Sequence, residues 1–599
     1  MSSTRSPLAK PPAIAWSIAG LDTAGGAGLS ADQRAADALG VHLCPVAACL
    51  TAQHSLGVDA IFPVDATQLE AQLQALAQDM RPRAIKTGLL GSVAAIETVA
   101  RWVDRLRADA PAGTDPHQHL ALVVDPVLRA SAGGAAFADD AIVQAYRRWL
   151  LPRATVITPN RSEAVALLNP STDHSPPDAS ALDQVPDIAQ ALQALGPRSV
   201  LVTGGDATGT ALETRHSLDW LQSREAQGWL CAPRVDTPHH HGTGCTLASA
   251  IAAALATGHV SADACVLGRM VVHHALMHAR TAGAGRGPVI ASSGALSGSA
   301  LAGAPLPWLG LGRELPWRLT PSTATATHGG HARFQAFHPP ADRLYGILPD
   351  GPSLAASVEA GLRCVQLRHK SPQGADAALA ISLQAAAHHG ATLFVNDHWR
   401  LALATPRPTP GHQAGEEDPV PGPTRCHPRF QMGIHLGQED LLALSAEDRA
   451  TLRHRRHDTL LGLSAHCPWE LARALGCGPS YVACGPVQAT TTKDMPWLPQ
   501  GEDNLRWWVA QADVPVVAIG GLLSADDLRR FAACGPAALC VVRALHTAPA
   551  DLPAKLASLR QAARQAPIRA AVPLPHPCLP PHDPVGGCVE HHATSGFPG

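Results

Sequence analysis

The sequence predicts an α/β protein of two units, a layered α/β/α N-terminal domain around a mostly parallel sheet and a C-terminal (β/α)8 barrel. Three observations carry this expectation: the length, a regular alternation of short apolar runs with alanine-rich helical stretches, and a Gly/Ser/Pro/Thr-rich break near the middle. At 599 residues the chain is too long for a single core, since domains run to roughly 100–200 residues.

In the first half, strand-like runs fall at 13–19, 41–48, 84–87, 120–124, 155–158 and 199–203, with helical segments such as 67–79 and 93–107 between them. That rhythm is the signature of a mostly parallel sheet. Residues 291–340 are rich in Gly, Ser, Pro and Thr and read as a flexible linker between domains at 1–290 and 341–565. In the second half, runs at 344–348, 364–367, 392–396, 433–436, 460–464, 481–484, 516–519 and 538–542 alternate with helices, which is the strand number and size of a closed barrel. A Pro-rich interruption covers 405–429, and residues 566–599 read as a disordered tail. In that tail His576, Cys578, His582, Cys588 and His591 are either weak metal ligands or part of an unstructured end.

Composition excludes several classes. Apolar residues make up 46% and charged residues 16%, the latter below the usual ~25%. The net charge of −3 is scattered, so nothing marks a nucleic-acid or anionic-membrane binder. The 14 cysteines contain no C-x-x-C pair, which argues against zinc ribbons and disulfide scaffolds and favours a reduced, cytoplasmic setting. The uncharged stretch between Arg286 and Arg313 is too rich in Gly, Ser, Ala and Pro to span a bilayer. The apolar run at 13–21 leads into Asp22 and a glycine cluster, as a first strand does, rather than into a signal-peptide cleavage site. No membrane or nucleic-acid partner is expected, and a homo-oligomer is compatible with the sequence.

Only five lysines (Lys10, Lys86, Lys370, Lys493, Lys555) occur among the 46 Lys and Arg. In an arginine-dominated chain a lysine marks positions that want a compact ammonium, and Lys86, Lys370 and Lys493 all lie in motifs.

The first motif, residues 17–28, is a strand end, a Gly-rich turn and a helix start that lacks Walker A spacing. The second is His241-Gly242-Thr243-Gly244-Cys245-Thr246, which opens an apolar helix. Amides of Gly242, Thr243, Gly244 and Cys245 converge at the helix N-terminus, where the macrodipole favours an anion such as a transferring phosphoryl group. Cys245 in the first turn is expected to favour its thiolate. The alternative is a buried structural cysteine beside a glycine-permitted turn.

These residues resemble the hydroxymethylpyrimidine/phosphomethylpyrimidine kinases of the ribokinase-like superfamily, over nearly the whole of 13–290. The matching pieces are 19–28, Leu50-Thr51-Ala52-Gln53, 85–90, Val124-Asp125-Pro126-Val127, Ile157 to Asn160 with Glu163, and 241–245. The resemblance implies ATP as co-substrate and Mg²⁺ as cofactor. It implies Gln53 and Asp22 at the aminopyrimidine, and Asn160, Glu163, Gly242, Thr243, Gly244 and Cys245 around the metal and nucleotide phosphates. Asp125 lines the site. Cys245 occupies the position of the aspartate base of many ribokinase-like sugar kinases, which makes it the expected catalytic group. Leu21 stands where the family usually has Ser, and Thr203-Gly204-Gly205 where it usually has Lys-Gly-Gly.

In the second half, Gln366, Arg368 and Lys370 alternate along a strand end and share one side. The pattern suits a diphosphate on the catalytic face of a barrel, or a solvated rim. Asp397, after Asn396, and Asp440 end two further strands and would make a hard-oxygen site for Mg²⁺. Residues 484–493, with Thr490, Thr492 and Lys493, and the turn Ile519-Gly520-Gly521 add hydroxyls, an ammonium and amides suited to a phosphate.

This ensemble resembles thiamine-phosphate synthase across about 341–550. The resemblance implies that Gln366, Arg368, Lys370, Asn396, Ser464 and Lys493 hold hydroxymethylpyrimidine diphosphate, with Arg368 and Lys493 as catalytic cations. It implies Asp397 and Asp440 as Mg²⁺ ligands, and Thr490, Thr492 and the Gly521 amide at the thiazole phosphate. Gln488-Ala489 replaces an aromatic-Pro pair, and Val542-Arg543 replaces a hydroxyl residue after the last strand. Arg543, beside Val542, is expected to hold that phosphate bidentately.

The expected function is a bifunctional enzyme. One half phosphorylates hydroxymethylpyrimidine and its monophosphate, and the other condenses the diphosphate with thiazole phosphate to thiamine phosphate. The alternatives are a barrel acting as a thiazole tautomerase, or one half retained as a regulatory ligand-binding module.

Overall fold

The two series of apolar runs form two separate sheets in a computed structural model that describes residues 11–128, 139–168, 181–205, 209–297, 303–319, 332–408, 427, 429–490, 496–564, 567–570, 572 and 574–580. The first sheet contains β1 (Ile14–Leu21), β2 (His42–His54), β3 (Gly57–Pro63), β4 (Ala84–Thr87), β5 (Ala121–Val124), β6 (Val156–Ile157), β7 (Ser199–Val202), β8 (His216–Gln222), β9 (Gln227–Pro233) and β10 (Trp308–Leu309). Their order is β10-β9-β8-β7-β6-β5-β4-β1-β2-β3. From β2 through β1 to β7 neighbours run parallel, so these strands read as continuous apolar runs buried on both faces.

All six strands expected in the first half form; β3, β8, β9 and β10 were not foreseen. They are antiparallel additions at the two edges. β8 escaped notice because His216, Ser217 and Asp219 interrupt its apolar pattern, yet all three are buried.

The second sheet closes into a barrel of eight parallel strands: β11 (Leu344–Leu348), β12 (Cys364–Leu367), β13 (Thr392–Val395), β14 (Gln431–Leu436), β15 (Leu460–Ala465), β16 (Tyr481–Cys484), β17 (Val516–Ala518) and β18 (Ala538–Val541), which returns to β11. Every strand lies within about two residues of its expected position. The barrel interior is aromatic: Phe394 and Tyr481 meet edge-on at 5.0 Å between ring centroids, and Phe337 packs against both.

Two expectations need correction. The described parts of 291–340 are packed rather than flexible. Trp308 and Leu309 add β10 to the sheet, and Leu296, Leu306, Leu311, Trp317 and Phe334 are buried. Leu296 O accepts from Trp507 Nε1 at 2.7 Å, and Arg318 forms a two-pronged ion pair with Asp513 at 3.1 and 2.7 Å. Overall composition averaged away these few large apolar side chains, and they are what hold the segment against the barrel.

The described part of the tail is also ordered. Leu498 N donates to Cys578 O at 2.8 Å, His576 N donates to Asn504 Oδ1 at 2.8 Å, and Cys578 is 1% exposed. His582, Cys588 and His591, and most of the 405–429 interruption, lie outside the described residues.

Candidate active sites

The C-terminal ends of β1, β4, β5, β6 and β7 open onto a cleft of about 590 Å³. Asp22, Gln53, Asp125, Asn160, Glu163 and the 242–245 turn all line it. The positions quoted from scattered first-half motifs therefore meet in one place.

Gly242 has φ +89°, and a Cβ there would lie 2.2 Å from Gly26 O. Only glycine permits this close crossing of the two Gly-rich loops. The helix Thr243–Ala256 starts at once after it, and its first three residues line the cleft; Thr243 N donates to His240 O at 3.4 Å.

Asp22 gathers four donors: the amides of Ala24 (2.8 Å), Gly26 (3.0 Å) and Ala27 (2.8 Å), and His241 Nε2 at 2.9 Å. Burial opposes its ionisation, yet the His241 bond and the amides hold it below the usual carboxylate range. Gln53 Nε2 lies 3.2 Å from the same His241 nitrogen, which puts the two residues expected at the pyrimidine side by side; with that nitrogen donating to Asp22, it does not accept from Gln53. Sequence reasoning gave His241 no role of its own; its place directly before the glycine turn was the available signal.

Burial pushes the Cys245 thiol up to about 12, although Lys86 pulls it down. The expectation of a favoured thiolate is thereby corrected: desolvation outweighs the helix terminus. Asp125, buried where Cys245 is half-buried, is raised to about 6 by desolvation despite Lys86. Beneath them lies a wholly buried ion pair, Lys86 Nζ to Asp32 at 2.8 and 2.9 Å, with Asp32 also accepting from Ser17 Oγ (2.6 Å) and Ser249 Oγ (2.8 Å). Ser249 stands one turn after Cys245, so this network fixes the helix Thr243–Ala256 against β1 and β4.

Asn160 and Glu163 cap the helix Arg161–Leu168 reciprocally, each side chain accepting from the other's amide at 2.9 and 3.0 Å. Their oxygens thus serve the fold while lining the cleft. At the Thr203 turn, Gly204 N donates to Asp219 Oδ1 at 2.9 Å, and Asp219 pairs with Arg269 at 2.9 Å. Arg234, Arg269 and Arg286 line the cleft, cations that no first-half motif announced.

In the barrel, the expected residues fall at the C-terminal ends of successive strands: Gln366, Arg368 and Lys370 at β12, Asn396 and Asp397 at β13, Asp440 after β14, Ser464 in β15, Thr490 after β16, Gly521 after β17, and Val542 and Arg543 after β18. Thr492 and Lys493 lie outside the described residues. Asn396 Nδ2 donates to His435 O at 2.9 Å, which fixes its orientation. Asp440 Oδ2 caps Gly437 N at 2.9 Å. Asp397 and Asp440 are exposed carboxylates following adjacent strands. This donor set suits Mg²⁺, which takes one or two carboxylates and completes its shell with phosphate oxygens and water.

The Gln488 substitution has a structural account. Its Nε2 donates to Gly521 O (3.0 Å) and Asp527 Oδ1 (2.9 Å), and its Oε1 accepts from Arg530 (2.7 Å), bracing the turns after β16 and β17.

Comparison with known proteins follows the same division. Residues 22–290 match the family described as phosphomethylpyrimidine kinase, and 352–545 match that described as thiamine monophosphate synthase. The hydroxymethylpyrimidine/phosphomethylpyrimidine kinase of Synechococcus elongatus is 38% identical over 276 residues, covering 46% of this chain and 96% of that protein. The chain belongs to the phosphomethylpyrimidine kinase family, with a thiamine monophosphate synthase domain fused behind it.

Similarity over most of the chain extends to plant proteins. A probable thiamine biosynthetic bifunctional enzyme, chloroplastic, from Oryza sativa subsp. japonica is 28% identical over 518 residues, covering 84% of this chain and 80% of that one. Its Arabidopsis thaliana counterpart is 29% identical over 520 residues, covering 84% of each. A pyridoxal kinase from Staphylococcus aureus, solved with ADP, aligns at 26% identity with TM-score 0.40, covering 47% of this chain and 93% of that one. Among the described residues no helix is long and apolar enough to cross a membrane.

Proposed function

We propose that the kinase half transfers phosphate from ATP to hydroxymethylpyrimidine and then to its monophosphate, and that the barrel joins the resulting diphosphate to thiazole phosphate, releasing pyrophosphate and thiamine phosphate. The observation that carries this reading is the convergence of both motif sets, each at the C-terminal ends of its own parallel strands, within one chain.

In the kinase half the substrate hydroxyl attacks the terminal phosphorus of ATP. Charge developing on the transferring group meets the amides at the start of the helix Thr243–Ala256, which need no reorganisation to receive it. Gln53 offers a carboxamide edge to the aminopyrimidine beside the Asp22–His241 pair. With the Cys245 thiol protonated at neutral pH, the ionised Asp125 carboxylate is the better acceptor for the hydroxyl proton, and Cys245 lines the cleft.

In the barrel, the carbon–oxygen bond to the diphosphate breaks with its electron pair leaving on oxygen. The thiazole nitrogen then donates its lone pair to that carbon. Arg368, Lys370 and Lys493 neutralise the leaving charge, and Asn396 and Gln366 orient the pyrimidine. Mg²⁺, held by Asp397 and Asp440, would add Lewis-acid neutralisation of the leaving group. No nucleophilic side chain is required, which suits a face rich in cations and amides. Arg543 takes the thiazole phosphate in this reading, and Arg543→Ala should raise the KM for that substrate roughly 10-fold or more.

The purified chain with MgATP, hydroxymethylpyrimidine and thiazole phosphate should yield thiamine phosphate and pyrophosphate. Asp397→Asn should let the pyrimidine diphosphate accumulate uncoupled. Gly242→Ala should abolish coupling until ready-made diphosphate is added. Loss of both half-reactions in either variant would refute two separate sites.

A further inference from the structure

A chain of side-chain hydrogen bonds crosses the barrel interior and joins two of the residues assigned to the pyrimidine. Tyr345 Oη lies 2.8 Å from Gln366 Oε1, and the Tyr345 and Tyr481 hydroxyls are 2.8 Å apart. His435 Nδ1 lies 2.7 Å from Tyr481 Oη, and His435 Nε2 lies 2.8 Å from Ser464 Oγ. The five residues come from β11, β12, β14, β15 and β16, and all but Ser464 are buried. The Tyr481 and His435 rings stack at 5.7 Å.

Proton counting fixes the direction of this chain. A carboxamide oxygen only accepts, so Tyr345 spends its hydroxyl proton on Gln366. Tyr481 must then donate to Tyr345, which leaves His435 Nδ1–H as the donor to Tyr481. A neutral imidazole protonated on Nδ1 has a lone pair on Nε2, so Ser464 spends its proton there. Burial, with Arg368 nearby, pushes His435 down to about 3, so it stays neutral; burial also keeps both tyrosines protonated.

We propose that Tyr345, Tyr481 and His435 are positioning residues that lock the hydrogen-bond polarity of the pyrimidine subsite. Gln366 is left to present only its NH₂ donor and Ser464 only its lone pairs. That pair matches a 4-aminopyrimidine, whose ring nitrogen accepts beside an amino group that donates. It opposes the 4-oxo counterpart, whose ring N–H donates beside a carbonyl that accepts. A site built to hydrogen-bond one edge rejects the reversed edge because buried groups are left unpaired. The inference rests on the synthase reading of the barrel and adds the source of its selectivity.

The test compares kcat/KM of the full chain for the 4-amino and 4-oxo pyrimidine diphosphates, with thiazole phosphate, in wild type, Tyr345→Phe and Tyr481→Phe. Wild type should prefer the amino substrate by at least about 100-fold. Each Phe variant frees Gln366 or Ser464 to turn, so that preference should fall 10-fold or more, while the kinase half-reaction in the same sample stays unchanged. Equal losses for both substrates, with the preference intact, would overturn the polarity lock and leave the synthase reading standing. Absence of any product from the amino diphosphate in wild type would instead overturn that reading. Should the variants not fold, ¹⁵N NMR of labelled wild-type histidine, assigned by difference with His435→Gln, reads the tautomer directly: Nδ1–H is expected, and Nε2–H or imidazolium refutes the lock.

Discussion

The backbone amide of Trp469, in the first turn of a barrel helix (Pro468–Gly476), donates a 3.0 Å hydrogen bond to the carboxylate of Asp263, in the first turn of a kinase-domain helix (Ser261–Met277). The two residues are 206 apart in sequence, and both sides of the contact are buried. The helices are thereby docked end to end, alongside the ordered connector and tail.

This contact gives a pH-dependent stability. Burial lifts Asp263 well above the usual carboxylate range, with the Trp469 amide pulling the other way. A raised acid contributes stability that is complete below its unfolded value of about 4 and is lost as pH rises toward its folded value. Asp263→Asn, which keeps an acceptor but cannot ionise, should therefore gain on the order of 1–3 kcal/mol over wild type at pH 8 and little at pH 4. Denaturant melts at the two pH values read the difference.

The buried Lys86–Asp32 pair predicts non-additivity. Lys86→Met strands a buried carboxylate beneath the cleft and should cost about 3–5 kcal/mol. The double variant Lys86→Met with Asp32→Leu should recover most of that in a denaturant titration, because no charge is left unpaired. A double variant no more stable than the single would contradict the pairing as the cause.

Gly242→Ala meets two obstacles, a left-handed φ of +89° and a Cβ 2.2 Å from Gly26 O. The two loops must separate, and the start of the helix shifts with them. Kinase kcat should drop by roughly 100-fold or more, with synthase activity on supplied diphosphate unchanged, as steady-state assays of the two half-reactions would show.

Asp125 predicts a pH profile. With its carboxyl raised to about 6 by burial, kinase kcat/KM should climb as pH passes through about 6 and the carboxylate forms. Asp125→Asn should remove that limb and lower the plateau. A limb that survives in the variant would assign it to another group.

Much of this was legible in the sequence. Strand periodicity and glycine punctuation located all eight barrel strands, because a strand buried on both faces is a short apolar run whatever surrounds it. The motif residues that reached the kinase cleft did so because strand ends and helix starts are local features. The antiparallel additions were not legible: the polar residues of β8 are buried by partners contributed from elsewhere, as Asp219 is by Gly204 and Arg269. The connector was misread for a related reason. Trp308 and Trp317 are sparse in a Gly/Pro-rich window, and their destination is a surface made by residues far along the chain.

Local pattern alone determined the two domains, their order, and which side chains stand at the C-terminal ends of the strands. Folding in three dimensions decided the protonation of Cys245, Asp125 and Asp263, the docking of the halves through Trp469, and the relay from Gln366 to Ser464. The physical reason is range. Periodicity and turn chemistry act over a few residues, whereas desolvation and hydrogen-bond direction are set by neighbours that only the completed fold brings together.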